Sequence, residues 1–187
     1  MNTLPEIIGL GGYAGAGKDT VANLLVEKYD YRSIAFGDAV RDVLEEMNPL
    51  IPTPYGAVNL QWVLKDVGWG VAKREYPEVR RLMQRLGGSV REHVGVDAWV
   101  TAALRKAVGD RVVFTDVRHR NELGTIRRHG AVTIWIGRPN VGPLNSDVSE
   151  NSLTSGDFHT QLINDGSRED LALKVSGHMG LYLSEAA

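Results

Sequence analysis

The sequence contains no cysteine, no long apolar run and no excess of basic residues, and each absence excludes a class of function. Without cysteine there is neither a disulfide nor a thiolate nucleophile, and a reducing cytoplasm is the simplest location. No apolar run approaches the length of a membrane-spanning helix, and the N-terminus lacks the basic and apolar regions of a signal peptide. We therefore expect a cytoplasmic protein without a membrane partner.

Charge and histidine content restrict the ligands further. The formal net charge is −2, whereas nucleic-acid binding requires a basic face, so we expect no nucleic-acid partner. The five histidines show no paired spacing of the kind that zinc ligands have. With 187 residues, of which 43% are hydrophobic, the chain is long enough for one domain with an ordinary core.

A glycine-rich stretch precedes the first helical pattern of the chain. From Gly12 it reads G-x-x-x-x-G-K, and it follows the apolar residues 7–10. Glycines let backbone N–H groups turn toward an anion, the helix N-terminus adds positive potential, and Lys18 adds a full charge. The stretch predicts a loop that binds nucleotide phosphates. Its predicted binding residues are Gly12, Ala14, Gly15, Ala16, Gly17, Lys18, Asp19 and Thr20.

Two features of this stretch leave alternatives open. Serine or threonine commonly follows the lysine and its hydroxyl reaches Mg²⁺, but here Asp19 follows and Thr20 comes one place later. In addition, Gly9, Gly11 and Ala14 fit the fingerprint of a dinucleotide-binding turn. That second interpretation gives the lysine no role.

Apolar periodicity predicts strands that alternate with helices. The expected strands are residues 6–10, 33–36, 112–115, 131–136 and 160–163. We expect Asp38 to cap a helix, residues 49–56 to form a proline-rich loop, and a helix to break at residues 68–70. The alternation predicts an α/β domain with a mostly parallel five-stranded sheet and helices on both faces.

Arginines follow three of the predicted strands. Arg41 follows the second strand, Arg118 and Arg120 follow the third, and Arg138 follows the fourth. Ligands of open α/β sheets bind at the carboxyl ends of strands, and the guanidinium fork suits phosphate oxygens. The arginines therefore predict a phosphate-bearing substrate in addition to ATP. Asp116, which ends the third strand, is a candidate Mg²⁺ ligand.

Several segments together resemble nucleoside monophosphate (NMP) kinases, and most closely the deoxynucleoside monophosphate kinases of bacteriophages. The resemblance extends from about residue 6 to residue 175. The segments that carry it are Gly17-Lys18-Asp19-Thr20, Phe36-Gly37-Asp38-Ala39-Val40-Arg41, residues 83–91, residues 113–118 with Asn121-Glu122, Ser149-Glu150, and Ile163-Asn164-Asp165-Gly166.

The resemblance implies a three-layer P-loop kinase fold over residues 1–187. It implies an NMP-binding helical insert at about 38–96 and a small lid at about 139–157. Because residues 139–167 contain no arginine, the lid would not neutralise charge, and we expect that it mainly excludes water. It implies ATP and Mg²⁺ as cofactors, a deoxynucleoside monophosphate (dNMP) as substrate, and the host cytoplasm as the location of a phage-encoded enzyme. It also suggests a homodimer, for which Trp62 and Trp69 would form an exposed patch.

The resemblance also assigns roles by position. Arg41 and Arg91 would hold the acceptor phosphate and Gln84 the base, while Asp19 and Asp116 would hold the metal. The implied catalytic residues are Lys18, Arg118 and Arg138, and Arg138 also contacts ATP. The implied substrate-binding residues are Asp38, Arg41, Gln84, Arg91, Arg118 and Arg120.

We therefore expect a phosphotransferase that converts ATP and a dNMP into ADP and a dNDP without a covalent intermediate. One alternative is another P-loop kinase with a small acceptor, similar to dephospho-coenzyme A kinase. Another is a nucleotide-binding ATPase or regulator that has no acceptor. Such a regulator has no need for Arg41, Gln84 and Arg91 to converge, so their arrangement discriminates between the alternatives.

Overall fold

The computed structural model describes residues 4–143 and 151–184, and these divide into two compact units. Unit 1 comprises Met1–Ala35 and Leu104–Ala187, and unit 2 comprises Phe36–Ala103. In chain order the described elements are β1 (Ile7–Gly11), α1 (Lys18–Tyr29), β2 (Arg32–Ile34), α2 (Phe36–Met47), β3 (Leu50–Thr53), β4 (Gly56–Asn59), α3 (Leu60–Glu75), α4 (Pro77–His93), α5 (Ala98–Lys106), β5 (Val112–Phe114), α6 (Arg120–Arg128), β6 (Val132–Gly137), a short 3-10 helix (Ser155–Asp157), β7 (Thr160–Ile163) and α7 (Arg168–Ser184).

A five-stranded parallel sheet forms the centre of unit 1. Its strand order is β2-β5-β1-β6-β7, and every pairing in it is parallel. The central strand β1 is almost entirely apolar and buried, as expected for a strand that is covered on both faces. The predicted five-stranded α/β sheet is therefore confirmed, with boundaries that differ by at most two residues.

Neighbouring residues of β1 face different helices. Ile8 and Leu10 belong to a buried cluster with residues of α1 and α7. A Cβ built on Gly9, between them, would lie 2.4 Å from Cδ1 of Ile126 in α6. Because successive residues of a strand point to opposite faces, α1 and α7 cover one face of the sheet and α6 covers the other. The expectation of helices on both faces is confirmed.

Unit 2 is mostly helical and has its own core. The buried residues of its main cluster come from α2, β3, α3 and α4: Leu44, Ile51, Leu60, Val63, Ala72 and Val79. A smaller cluster joins Val40 to Trp99, whose Nε1 donates a hydrogen bond to the carbonyl of Gly87 at 3.0 Å. The indole bond and the packing hold α4 and α5 together within this unit.

The prediction that residues 49–56 form a loop was wrong, because they contribute to the hairpin of β3 and β4. At its tip, Thr53 Oγ1 donates to the carbonyl of Gly56 at 2.7 Å and accepts from the N–H of Tyr55 at 3.2 Å. Pro52 is tolerated because each strand of a two-stranded ribbon has an unpaired edge. The buried Ile51 secures the hairpin to the core of unit 2.

The start of one helix also differs from prediction. Helix α2 begins at Phe36, so Asp38 lies in its first turn and is not the cap. Phe36 is only 4% exposed, and its burial favours a helix that begins three residues earlier than a cap at Asp38 implies. The predicted break at residues 68–70 is confirmed, because Gly68 has a non-helical backbone, with φ 68° and ψ 169°, and α3 consists of two helical segments joined by a kink at this residue.

Among the residues that the structure describes, no helix combines the length and the apolar character needed to cross a bilayer.

Two glycines of α3 allow a matched test of this kink. Gly68→Ala places a side chain on a backbone conformation that essentially only glycine adopts, so we expect the free energy of unfolding to fall by about 1–3 kcal/mol. Gly70 is helical, and a Cβ there would meet no atom within 4 Å. Gly70→Ala should therefore stabilise by about 0.5–1 kcal/mol. Urea unfolding measures both changes, and equal signs would contradict the kink.

Candidate active site

The loop between β1 and α1 requires glycine at two positions. Gly12 has φ 138°, and a Cβ there would lie 2.3 Å from the carbonyl oxygen of Ile136. Gly17 caps α1 with φ 104°, and a Cβ there would lie 2.5 Å from Nδ2 of Asn164. Each position combines a left-handed backbone with no room for a side chain. The loop can therefore lie this close to β6 and to the end of β7 only with glycine.

Lys18 begins α1 and folds back over this loop. Its Nζ donates hydrogen bonds to the carbonyl oxygens of Gly12, at 2.7 Å, and Tyr13, at 2.9 Å. The ammonium group therefore lies beside the loop at the N-terminus of a helix of 12 residues, where the helix dipole is also positive. This concentration of positive potential and backbone N–H groups suits an anion with several charges.

The dinucleotide-binding interpretation does not describe this loop. Gly9 and Gly11 lie within β1, not in the turn that follows it. A Cβ on Gly9 would lie 2.4 Å from the side chain of Ile126, and a Cβ on Gly11 would lie 2.1 Å from the ring of Phe158. These two glycines therefore make room for neighbouring side chains in the core, and the candidate anion-binding turn starts at Gly12.

The two strands beside β1 lead into residues that were predicted for the site. β5 leads into Asp116 and Arg118, and β6 leads into Arg138. Because the strands are parallel, their carboxyl ends lie at the same edge of the sheet. The N–H of Val117 donates to the carbonyl of Leu10 at 3.1 Å and ties the segment after β5 to β1. Residues 116–118 thus follow the strand on one side of β1, and Arg138 follows the strand on the other side.

The backbone at Arg118 is fixed by a glutamate that was not among the predicted site residues. Oε2 of Glu122 accepts hydrogen bonds from the N–H groups of Arg118, at 2.7 Å, and His119, at 2.9 Å. Glu122 is only 5% exposed, and it lies in the first turn of α6, where a carboxylate is favourable. The sequence signal was a glutamate three residues after the position that caps the helix.

The side chains of Arg118, Arg120 and Arg138 are exposed. The guanidinium of Arg120 lies 3.5 Å from a carboxylate oxygen of Asp157, but its side chain is 75% exposed. A hydrogen bond from the backbone of Thr154, more than the charge of Arg120, lowers the pKa of Asp157. Since exposed ion pairs contribute little, this pair leaves Arg120 available for another anion.

Aromatic residues pack behind the loop, and the sequence pattern did not reveal them. The rings of Tyr13 and Trp135 meet edge to face at a centroid distance of 5.2 Å, and the ring of Phe158 lies 5.3 Å beyond Trp135. Next to Phe158, Nδ1 of His159 accepts from the N–H of Thr133 at 3.2 Å. Burial, and to a smaller extent Arg127, lowers the pKa of His159, so the neutral ring can accept this bond.

The candidate metal ligands provide oxygen donors only. Asp116 is half-buried after β5, and Asp19 is exposed in the first turn of α1. Within residues 4–143 and 151–184 there is no group of three or more His, Cys, Asp or Glu residues that could hold a metal ion. These donors fit Mg²⁺, which is often held by one or two carboxylates together with phosphates and water.

Four of the six predicted substrate-binding residues belong to unit 2, namely Asp38, Arg41, Gln84 and Arg91. Arg41 forms an ion pair with Asp38, one turn earlier on α2. Gln84 and Arg91 both lie on α4, which continues without interruption through Gly87 and Gly88. Because they are seven residues apart, they share one face of this helix, as the sequence required. Nη1 of Arg91 donates to the carbonyl of Val96 at 3.2 Å.

Part of the predicted lid lies outside the described residues. This part is residues 144–150, which include Ser149 and Glu150 of the resemblance. The described parts of the lid are residues 139–143 and 151–157. The latter end in the short 3-10 helix, where Asp157 accepts hydrogen bonds from the backbone and the hydroxyl of Thr154.

A family model described as deoxynucleotide monophosphate kinase matches residues 64–175, more than half of the chain. The chain belongs to the deoxynucleotide monophosphate kinase family. It is therefore an enzyme, a nucleotide kinase that acts on a small molecule. The predicted family is confirmed. The matched residues include α4 and the segments after β5, β6 and β7.

Individual proteins of known name resemble this chain over nearly its whole length. A protein of Acanthamoeba polyphaga mimivirus, whose provisional name is deoxynucleotide monophosphate kinase, is 24% identical over 180 residues, or 90% of this chain and 93% of its own length. Shikimate kinase from Acinetobacter baumannii superimposes with a TM-score of 0.50 at 16% identity, over 99% of this chain and 96% of its own. Dephospho-CoA kinase from Campylobacter jejuni has a TM-score of 0.48 at 11% identity, with coverages of 94% and 96%. The shikimate kinase likeness concerns the fold alone, and it confirms the P-loop kinase fold.

Glu122 offers a test of the turn that carries Arg118. Glu122→Ala leaves two part-buried N–H groups without their acceptor, so we expect the free energy of unfolding to fall by about 1–3 kcal/mol. Glu122→Gln keeps a carbonyl oxygen at the same place and should lose less than half of that. Denaturant unfolding measures both, with the exposed Glu27→Ala as control. Equal losses in the two Glu122 variants would show that the hydrogen bonds do not hold this turn.

Proposed function

We propose that the enzyme transfers the γ-phosphate of ATP to the 5′-phosphate of a deoxynucleoside monophosphate, giving a dNDP and ADP. The observation that carries the proposal is the position of Lys18 over the glycine loop at the N-terminus of α1, which is suited to a polyphosphate. Membership of the family supports a deoxynucleotide as the acceptor.

The reaction depends on neutralising charge more than on covalent assistance. An oxygen of the acceptor phosphate forms a bond to the γ-phosphorus, while the bond to the bridging oxygen breaks and that oxygen leaves on ADP. Negative charge on the transferring group must be neutralised in this step. We assign this role to Lys18, Arg118 and Arg138, which lie on the segments after β1, β5 and β6.

The nucleotide and metal assignments rest on the loop and on two carboxylates. When bound, ATP would supply the phosphoryl group, and Mg²⁺ would neutralise part of the negative charge on its phosphates. The loop residues 12–20 would hold the phosphates, with Arg138 as a further contact. Asp19 and Asp116 would hold the metal, and their oxygen donors suit it.

The acceptor assignments rest on unit 2. Arg41 and Arg91 would bind the acceptor phosphate and Gln84 the base, and the shared face of Gln84 and Arg91 on α4 supports a common ligand. The carboxylate of Asp38 orients Arg41 through their ion pair. Arg118 and Arg120 are proposed as additional contacts of the substrate.

We also propose that the enzyme is cytoplasmic and forms a homodimer. In unit 2, Trp62 is 62% exposed, together with Met47 at 63% and Leu50 at 62%, and such side chains suit a protein contact. Trp69 contributes less than predicted, because it is half-buried and its Nε1 donates to Glu45 at 3.3 Å.

A coupled ADP-release assay with each dNMP in turn tests the proposed reaction. We expect release that depends on the dNMP, and a loss of roughly 100-fold or more in Lys18→Ala because a charge on the transferring group is no longer neutralised. Arg91→Ala should also lose transfer. ATP binding, measured by titration calorimetry, should weaken in Lys18→Ala and survive in Arg91→Ala.

The control is Arg74→Ala, which removes an exposed arginine of unit 2 that pairs with its neighbour Glu75. This variant should keep both transfer and ATP binding. Release that is equal with and without any dNMP would indicate an ATPase without an acceptor. Equal loss of ATP binding in Lys18→Ala and Arg91→Ala would contradict the proposed division of roles.

A further inference from the structure

Asn164 links the end of the sheet to the phosphate-binding loop. It directly follows β7, and its side-chain Nδ2 donates a hydrogen bond to the carbonyl oxygen of Ala16 at 2.9 Å. These two residues are 148 positions apart in the chain. The contact therefore exists only in the folded unit 1, and it reaches the loop at the residue before the cap of α1.

The geometry of the peptide bond gives this contact a consequence for the anion site. The carbonyl of Ala16 and the N–H of Gly17 belong to one planar trans peptide, so they point in opposite directions. A donor that fixes the carbonyl on one side also fixes the N–H on the other side. Gly17 is the N-cap of α1, and its own carbonyl accepts from the N–H of Val21 at 3.1 Å. The peptide before Gly17 is thus held against rotation.

The amide of Asn164 occupies the space that the missing side chain of Gly17 provides. A Cβ on Gly17 would lie 2.5 Å from Nδ2 of Asn164, so a side chain there would force the amide away from the carbonyl of Ala16. The two residues therefore depend on each other. Glycine admits the amide, and the amide orients the peptide on the N-terminal side of the glycine.

Asn164 is itself held in place by the sheet and by α7. Its backbone N–H donates to the carbonyl of Gly137 at 2.8 Å, which continues the pairing of β6 with β7. One residue earlier, the carbonyl of Ile163 accepts from Nζ of Lys174 in α7 at 2.9 Å. The donor that reaches the loop is therefore carried by a segment with fixed backbone on two sides.

We propose that Asn164 is a positioning residue for phosphate binding, because its amide holds the Ala16–Gly17 peptide with the N–H of Gly17 directed toward the nucleotide phosphates. The inference rests on the proposed function, in which ATP occupies this loop. Asn164 acts through the loop backbone and needs no contact with ATP. It acts on the phosphate side of the nucleotide only, so the acceptor dNMP should not sense it directly.

An Asn-to-Asp replacement separates the donor from the shape of the side chain. Asn164→Asp keeps the size but presents only oxygens to the carbonyl of Ala16, and it should disturb the loop more than Asn164→Ala, which merely removes the donor. If Asn164 only fills space, the order of the two variants should be reversed. Asn48→Asp is the control, because Asn48 uses its Oδ1 as an acceptor for the N–H of Gln61 and aspartate preserves that bond.

The experiment measures the Kd of ATP and of inorganic tripolyphosphate, the KM of the dNMP, and thermal unfolding without nucleotide. We expect Asn164→Asp to raise both Kd values by at least about tenfold, which is the loss expected when one hydrogen-bond donor to a phosphate is displaced. Asn164→Ala should raise them by a smaller factor. The KM of the dNMP should change less than about twofold, and the unfolding temperature should stay close to that of the unmodified protein. Asn48→Asp should change none of these quantities.

Two results would overturn the inference. One is an unchanged Kd of ATP in folded Asn164→Asp or, if that variant does not fold, in Asn164→Ala. The other is a loss of thermal stability with ATP and dNMP affected equally, which indicates a structural role. A different failure is distinguishable, since an unmodified protein that binds neither ATP nor tripolyphosphate would contradict the proposed function itself.

Discussion

The candidate site of this kinase depends on a glycine-rich backbone and a lysine ammonium group that lie beside each other at the N-terminus of a helix. The loop achieves this because Gly12 and Gly17 have left-handed backbones in positions where no Cβ fits. Lys18 then lies over the loop on the carbonyls of Gly12 and Tyr13. Positive potential from the helix, the backbone and the lysine accumulates within a few ångströms, which is what a polyphosphate requires.

The parallel sheet of unit 1 explains how distant segments come to surround that loop. β1 lies between β5 and β6, so the residues after these strands leave the sheet at the same edge as the loop. Buried polar contacts then fix the backbone of these segments. Glu122 holds the turn at Arg118, and Asn164 holds the carbonyl of Ala16. The exposed Arg118 is thus carried on a segment with restricted freedom, which lowers the entropic cost of binding an anion.

Local sequence signals predicted those parts of the molecule in which short-range chemistry determines the conformation. The strand, loop and helix from β1 to α1 follow from apolar residues and glycine spacing, and β7 was predicted with its observed bounds. Helix α4 begins at Pro77, a residue that suits the first position of a helix. Its passage through Gly87 and Gly88 does not follow from local preference, because the intrinsic cost of two helical glycines is offset by packing in unit 2.

Other features depended on contacts that a linear pattern does not contain. The β3–β4 hairpin was missed because its prolines indicate a loop, although a two-stranded ribbon tolerates them and the burial of Ile51 favours it. The role of Asn164 was not predicted, since its partner Ala16 lies 148 residues away. The cap position of Asp38 was wrong because burial of Phe36 extends the helix. Tertiary packing overrode the local signal in each case.

Phosphorus NMR of the enzyme with ATP, Mg²⁺ and a mixture of the four dNMPs tests the central claim most directly, because it identifies the bond that forms. The account predicts the two resonances of a deoxynucleoside diphosphate, which increase in step with those of ADP and require a dNMP. Accumulation of ADP together with inorganic phosphate, and of no dNDP, would contradict it.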